Sequence, residues 1–175
     1  MSLKKKTTFH IVPHSHMDLG WLSTGEEYYM KNVKYIFTNV LNALERNTKR
    51  TFTISDIAFF EMWWKDQTID VKNRIKTLIT NGQLEFAQGG WISPDTANPN
   101  YQEFLHAIRV GQDFLERELN LENPKIAWQI DTFGHSATSS RLFQEMGFEA
   151  IFFARMNETQ KAINRSKREM QWIWQ

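Results

Sequence analysis

Apolar positions along this chain fall into two alternating spacings. Short runs of strand length, Phe9 to Pro13 (FHIVP), Thr51 to Ser55 (TFTIS), Leu84 to Ala87 (LEFA), Ile126 to Ile130 (IAWQI) and Ala150 to Ala154 (AIFFA), are separated by stretches with helical spacing. The first helical stretch opens at Thr24-Gly25-Glu26-Glu27, a capping box in which a hydroxyl and a carboxylate three residues apart satisfy the first turn. Its apolar face is Val33, Ile36, Phe37, Val40, Leu41 and Leu44, a stripe that belongs in a core. Phe59, Phe60, Trp63 and Trp64 follow the second strand. Clustered aromatics usually bury one another, so this piece reads as a helix packed on the sheet; stacking on a sugar face is the sharper alternative.

A helix from about Asp70 to Thr80 stops at Asn81-Gly82, where glycine takes the left-handed position past a helix end. Asn98-Pro99 offers a capping side chain and a proline suited to a first turn. The helix that follows presents Phe104, Ile108, Gly111, Leu115 and Leu119 on one face. Another helix, from about Thr138 to Met146, closes at Gly147, and Met170 to Trp174 reads as a last strand. No repeat, low-complexity segment or linker interrupts the series. Strands alternating with helices predict a right-handed βαβ succession, hence an α/β fold with a mainly parallel sheet and covering helices. At 175 residues, with 41% hydrophobic and 23% charged, the chain fits one domain with a sizeable core, and disorder is not expected.

Polar residues punctuate the strand ends. His14, His16, Asp18, Asp56, Trp91, Asp131 and Arg155 all fall at or just beyond the expected C-terminal ends, the edge at which parallel α/β folds bind ligands. One site is the economical reading. Within His14-Ser15-His16-Met17-Asp18 the three metal-competent side chains stand at alternate positions, which an extended backbone points to one side. Imidazole and carboxylate together suit zinc, and a further ligand from elsewhere with one open position would make such a site catalytic. A strand end with two exposed histidines and a loop aspartate is the plain alternative, and the spacing does not choose. After the third strand, Gly89-Gly90 lets backbone approach something closely, which makes Trp91 either a pocket wall or a half-buried residue of a tight turn. Asp131, directly after an apolar strand and before Phe133-Gly134-His135, is a metal ligand, a nucleophile or a helix cap.

Charge and cysteine content narrow the field. Twenty-one basic against 20 acidic residues give a net charge of +1, so there is no electrostatic case for nucleic acid or an anionic membrane. Lys4 to Lys6 form the one basic run, expected at a solvated terminus. With no cysteine, disulfides and thiolate-zinc sites are excluded. No apolar run reaches the ~20 residues that span a bilayer. The opening MSLKKKTTFH lacks the apolar stretch of roughly 7 to 15 residues that a secretory signal requires, so as written the chain starts inside the cell. The sequons at Asn157 and Asn164 would matter only on an exported protein.

Several ordered segments carry a family resemblance. HIVPHSHMDLGWLSTGEEYY from His10, DIAFFEMWW from Asp56, GQLEFAQGGW from Gly82, IAWQIDTFGHS from Ile126 and GFEAIFFAR from Gly147 together resemble glycoside hydrolase family 38, the class II α-mannosidases, most closely the lysosomal-type branch. The resemblance implies that residues 1–175 are the N-terminal part of a (β/α)7-barrel-like catalytic domain, incomplete here. It implies a zinc-dependent retaining α-mannosidase acting on terminal mannosides of glycans, with His16, Asp18 and Asp131 as zinc ligands and Asp131 also as nucleophile. Trp21 and Phe133 become sugar-contacting walls and Arg155 a polar clamp that would keep Asp131 ionised. His14, Asp56, Trp91 and Asp95 are left behind the ligands or around the pocket. The resemblance suggests the lysosome, the vacuole or the secretory pathway, so the compartment stays open.

The departures from that family also carry expectations. Its general acid and a histidine ligand to zinc come from segments with no counterpart before Gln175, so the chain would carry the nucleophile half of a site and need the C-terminal part of the enzyme as its partner. Thr132 stands where a proline is usual, Thr96 where glutamate commonly follows Asp95, and Asn157 where an acidic residue commonly follows the arginine. Two other functions fit the same residues: a zinc and mannose binding remnant without hydrolysis, and a zinc hydrolase of the polysaccharide deacetylase kind in which His14, His16 and Asp18 hold a metal.

Overall fold

The computed structural model describes residues 8–173. Lys4 to Lys6 and Trp174 lie outside them. The chain forms two compact units, Met1–Phe86 and Ala87–Gln175.

In the first unit Thr24 caps α1 (Gly25–Tyr28): its hydroxyl accepts from Glu27 N at 3.2 Å and its own N–H donates to the Glu27 carboxylate at 3.1 Å, the capping box expected. A single π-helical turn, Tyr29–Val33, then leads into α2 (Lys34–Glu45) and buries both of its end residues. The Tyr29 hydroxyl donates to Asp66, and burial together with that carboxylate pushes its pKa up. Val33, Phe37, Leu41 and Leu44 are buried as the stripe predicts, with Ile36 and Val40 half-buried at its margins. Strand β1 (Phe52–Asp56) runs directly into α3 (Ile57–Lys65), and α4 (Ile69–Thr80) follows, capped by the Thr68 hydroxyl. The aromatics of α3 are core. Phe60 lies 5.7 Å from Phe37, 6.0 Å from Trp63 and 5.4 Å from Phe86 between ring centroids, and the Trp63 indole donates to the Thr38 hydroxyl at 3.2 Å. Sugar stacking by these rings is thereby overturned, since Phe59, Phe60, Trp63 and Trp64 are all buried.

The expected first strand does not form. Phe9 and Ile11 are 84% and 83% exposed, and pairing is confined to a parallel bridge between His14 and Thr53, with Thr53 N donating to Pro13 O at 2.9 Å. An apolar run makes a strand only where a partner takes its backbone, and proline has no N–H to give. Strand β1 is hydrogen-bonded instead to β2 (Leu84–Gly90), which runs three residues further than the sequence reading, through the glycine pair.

In the second unit α5 (Tyr101–Leu119) is capped by Asn100, two residues later than expected; Asn98 belongs to the preceding turn and bonds Asp95. Strand β3 (Ile126–Gln129) pairs in parallel with β4 (Ala150–Phe153), Ile126 opposite Ala150 and Gln129 opposite Phe153. Between them α6 (Ala137–Glu145) starts at the Ser136 cap. Phe104, Ile108, Ala127, Phe143 and Phe148 form the core of this unit, flanked by Leu105, Leu142, Met146 and Ile151. A further helix, α7 (Glu158–Lys167), follows an Asn157 cap, and residues 170–173 form no strand. The close approach foreseen at the glycine pair is met by helix backbone. A Cβ added at Gly111 of α5 would lie 2.6 Å from the backbone nitrogen of Trp91, with Gly89 and Gly90 also in its way.

No helix among the described residues is long and apolar enough to cross a membrane. Because backbone rather than a flexible side chain opposes it, Gly111→Ala is expected to lower unfolding stability by about 3 kcal/mol, measured by urea denaturation. A loss below about 0.5 kcal/mol would show that α5 does not press on β2 in this way.

Candidate active site

The first unit gathers four titratable side chains at one strand end. The parallel bridge from His14 to Thr53 aligns the segment after Pro13 with β1, so His14, His16 and Asp18 run alongside the end at which Asp56 sits. His16 and His14 are half-buried, and His16 Nε2 stands 3.6 Å from Asp18 Oδ1. Asp56 is 7% exposed. One of its oxygens accepts from the Ser55 hydroxyl at 3.0 Å, and the other has no donor among the described residues. Burial pushes its pKa from an ordinary 3.8 to about 6; the Ser55 bond and His16 pull the other way, and Asp18 adds to the rise. Burial, and then the neighbouring His16, lowers the pKa of His14. Trp21 is exposed on the bend that follows, its N–H donating to Ser23 O at 3.2 Å.

The second unit builds an ion pair. Asp131 lies two residues beyond β3 and Arg155 two residues beyond β4, and the parallel register brings these ends to the same edge. Arg155 donates to Asp131 Oδ1 through Nε at 2.9 Å and through Nη2 as well. The same guanidinium stands 5.4 Å over the centre of the exposed Phe133 ring, close enough for a cation–π contact. His135 hydrogen-bonds the Arg155 carbonyl at 3.0 Å, and its ring centre lies 4.5 Å from that of Phe153 with the planes tilted by 48°. Thr96 donates to Gly134 O at 2.7 Å, tying a second loop to the turn.

Two expected pocket residues are engaged locally. Asp95 accepts from Ala97 N at 3.2 Å and from the Asn98 amide at 2.8 Å, which makes its carboxylate a cap for its own turn. Trp91 is half-buried after β2, its N–H donating to Ala107 O at 2.7 Å. Sequence reasoning named Thr96 only as a departure from the family and gave no role to His135 or to the buried Gln88 and Gln129. Only His135 carried a signal, its place four residues after Asp131.

Comparison with known proteins places the chain. An α/β fold with carboxylates, histidines and an arginine at its strand ends is the class of domain that the structure defines, and its relatives specify it. The chain is 38% identical over 174 residues to human lysosomal α-mannosidase, covering 94% of this chain and 17% of that protein, and 37% identical to lysosomal α-mannosidase of Cavia porcellus over the same shares. It is 34% identical to an α-mannosidase of Canavalia ensiformis, over 99% of this chain and 18% of that one. The solved structure of an α-mannosidase from Enterococcus faecalis V583 superposes with a TM-score of 0.69 at 20% identity, over 81% of this chain and 16% of that chain. A 4-α-glucanotransferase from Thermococcus litoralis gives a TM-score of 0.61 at 18% identity, over 79% and 21%. Those two likenesses concern the fold. Residues 6–175 match the glycosyl hydrolases family 38 N-terminal domain, and the chain belongs to that family. It spans about a sixth of the length of these curated relatives.

A carboxyl whose pKa is raised on folding binds its proton more tightly in the folded state. Its stabilising share is therefore fully present below about pH 4 and is lost as the pH rises through about 6. For Asp56 the loss is on the order of 3 kcal/mol. Asp56→Asn, which keeps the shape without the charge, is expected to gain stability over the wild type at pH 7.5 and much less at pH 4.5. Urea unfolding with a chelator present reads this directly; an equal difference at both pH values would refute the buried-carboxyl account.

Proposed function

We propose that this chain is the N-terminal part of the catalytic domain of a zinc-dependent retaining α-mannosidase and carries the nucleophile and most of the metal ligands. The observation that carries this reading is Asp131, held by Arg155 at a parallel strand end in a chain whose family relatives are named α-mannosidases. His16, Asp18 and Asp131 are the proposed ligands, each offering one ligand atom. An imidazole and two carboxylates are a donor set that suits zinc, and the pair His16 and Asp18, backed by the buried Asp56, is ready to receive a cation. When bound, zinc would orient adjacent sugar hydroxyls and favour distortion of the ring.

The chain's own residues supply the nucleophile and its surroundings. The Asp131 carboxylate attacks the anomeric carbon as the bond to the leaving oxygen breaks, and a second carboxyl group, about 5 Å away in retaining enzymes, protonates that oxygen. Water then cleaves the glycosyl ester and the second group takes its proton back. The resemblance assigns no residue here to that acid, and the C-terminal part of the enzyme is the proposed source of it and of a further histidine ligand. In this reading Arg155 fixes the position of the attacking carboxylate, the exposed rings of Trp21 and Phe133 are the proposed sugar contacts, and His14, Trp91 and Asp95 are proposed as supporting residues. The substrate class is a mannose-containing glycan, and the lysosome or vacuole is the proposed compartment, by analogy with the lysosomal names of the relatives.

The test is zinc content of the purified chain beside His16→Ala and Asp131→Ala, with a synthetic α-mannoside assayed on the same samples. Near-stoichiometric zinc in the wild type and its loss in both variants are expected, with weak or no turnover until the remainder of the enzyme is supplied. A folded wild type that takes up no zinc would overturn the metal assignment.

A further inference from the structure

We infer that Gln129 and Thr132 are positioning residues for Asp131, holding its turn through a directed chain of buried hydrogen bonds that ends on Gln88. This rests on the role proposed above for Asp131. Gln88, Gln129 and Thr132 are all buried, Gln88 completely. Their hydrogen-bond directions follow from one group. The backbone N–H of Trp128 can only donate, and it meets Gln88 Oε1 at 3.2 Å. The Gln129 atom that meets the same oxygen at 2.6 Å must then be the amide nitrogen. That leaves the Gln129 oxygen facing Thr132, whose hydroxyl donates to it at 2.6 Å. Neither amide can be turned over without setting two donors, or two acceptors, against each other.

The far end of the chain is anchored. Gln88 has a φ of +55°, a left-handed conformation that a non-glycine residue adopts only where its surroundings hold it. Gln112 donates to its carbonyl oxygen at 3.4 Å, and Gly89 beside it fits under Leu115 and Pro124 with no room for a Cβ. The Gln88 amide nitrogen has no acceptor among the described residues, so the side chain is held by its oxygen alone.

Asp131 lies between the two linked residues. Gln129 ends β3 and Thr132 comes three positions later, so their bond closes residues 129–132 into a braced turn, while Arg155 holds the carboxylate from the end of β4. The brace sets where the Asp131 oxygens stand without touching metal or sugar.

Thr132→Val removes the hydroxyl at constant shape, and Thr132→Ser keeps it. Zinc affinity of the 175-residue chain, measured by competition with a chromophoric chelator, is expected to fall about tenfold or more in the valine variant and to stay near wild type in the serine variant. Amide hydrogen exchange over residues 130–133 should quicken in the valine variant alone, with the amides of α5 unchanged. A folded valine variant with wild-type affinity and wild-type exchange overturns the inference. If the wild type takes up no zinc, the metal reading of Asp131 fails, and exchange over 130–133 alone decides: quickening limited to the valine variant supports the brace, and equal rates in all three chains refute it. Should Thr132→Val not fold, Gln129→Met, which fills the same space without the amide, takes its place under the same criteria.

Discussion

The parallel register of β3 on β4 is the constraint on which the second unit depends. With Gln129 opposite Phe153, the next two residues of each strand carry Asp131 and Arg155 to a common edge, and the guanidinium closes on one carboxylate oxygen. A slip of one residue would turn each side chain to the other face of the sheet and separate the pair. The apolar core enforces the register from below, because Ala127 and Ile151 must face Phe143, Phe148 and Ile108 together. Packing that contains no functional residue thus decides where the charged ones meet.

The first unit reaches a comparable end by another route. Its strand end is held by α3, whose buried aromatics leave β1 no freedom to shift, and the last residue of β1 is a carboxyl group with almost no access to water. Burying such a group costs stability unless a partner or a proton compensates. Ser55 supplies one hydrogen bond and His16 a neighbouring imidazole, and neither cancels the effect of burial. A hydrophobic residue there would make a more stable strand end. The fold retains a carboxyl beside the His16 imidazole, an arrangement whose cost the cation proposed above would offset.

The sequence showed the amphipathic elements well and the polar architecture unevenly. The capping box at Thr24, the α2 stripe and the aromatic core of α3 follow from spacing, because each is local or periodic. Asp131 and Arg155 were legible as strand-end residues, although their pairing needed the register. The run from Phe9 misled because an apolar pattern reports affinity for a core without saying whether a neighbouring strand is there to pair. Helix α7 escaped notice because it buries no residue and so leaves no apolar period to read. The glutamine chain behind Asp131 was invisible for a different reason: glutamine is ordinary on surfaces, and hydrogen bonds linking residues 40 positions apart have no signature in order or spacing.

Fold and chemistry separate cleanly in this chain. The same architecture is shared with an α-mannosidase and with a glucanotransferase, so the sheet and its helices do not choose a reaction. What they supply is a rigid edge at which side chains are placed. On that edge a capping aspartate and the proposed nucleophile sit in different surroundings. A helix cap accepts from backbone amides of the turn that follows, as Asp95 does from Ala97. Asp131 takes the guanidinium of Arg155, and the next helix, α6, is capped five residues later by Ser136. The cap of α6 thus falls to Ser136, and the nucleophile role proposed for Asp131 does not compete with it.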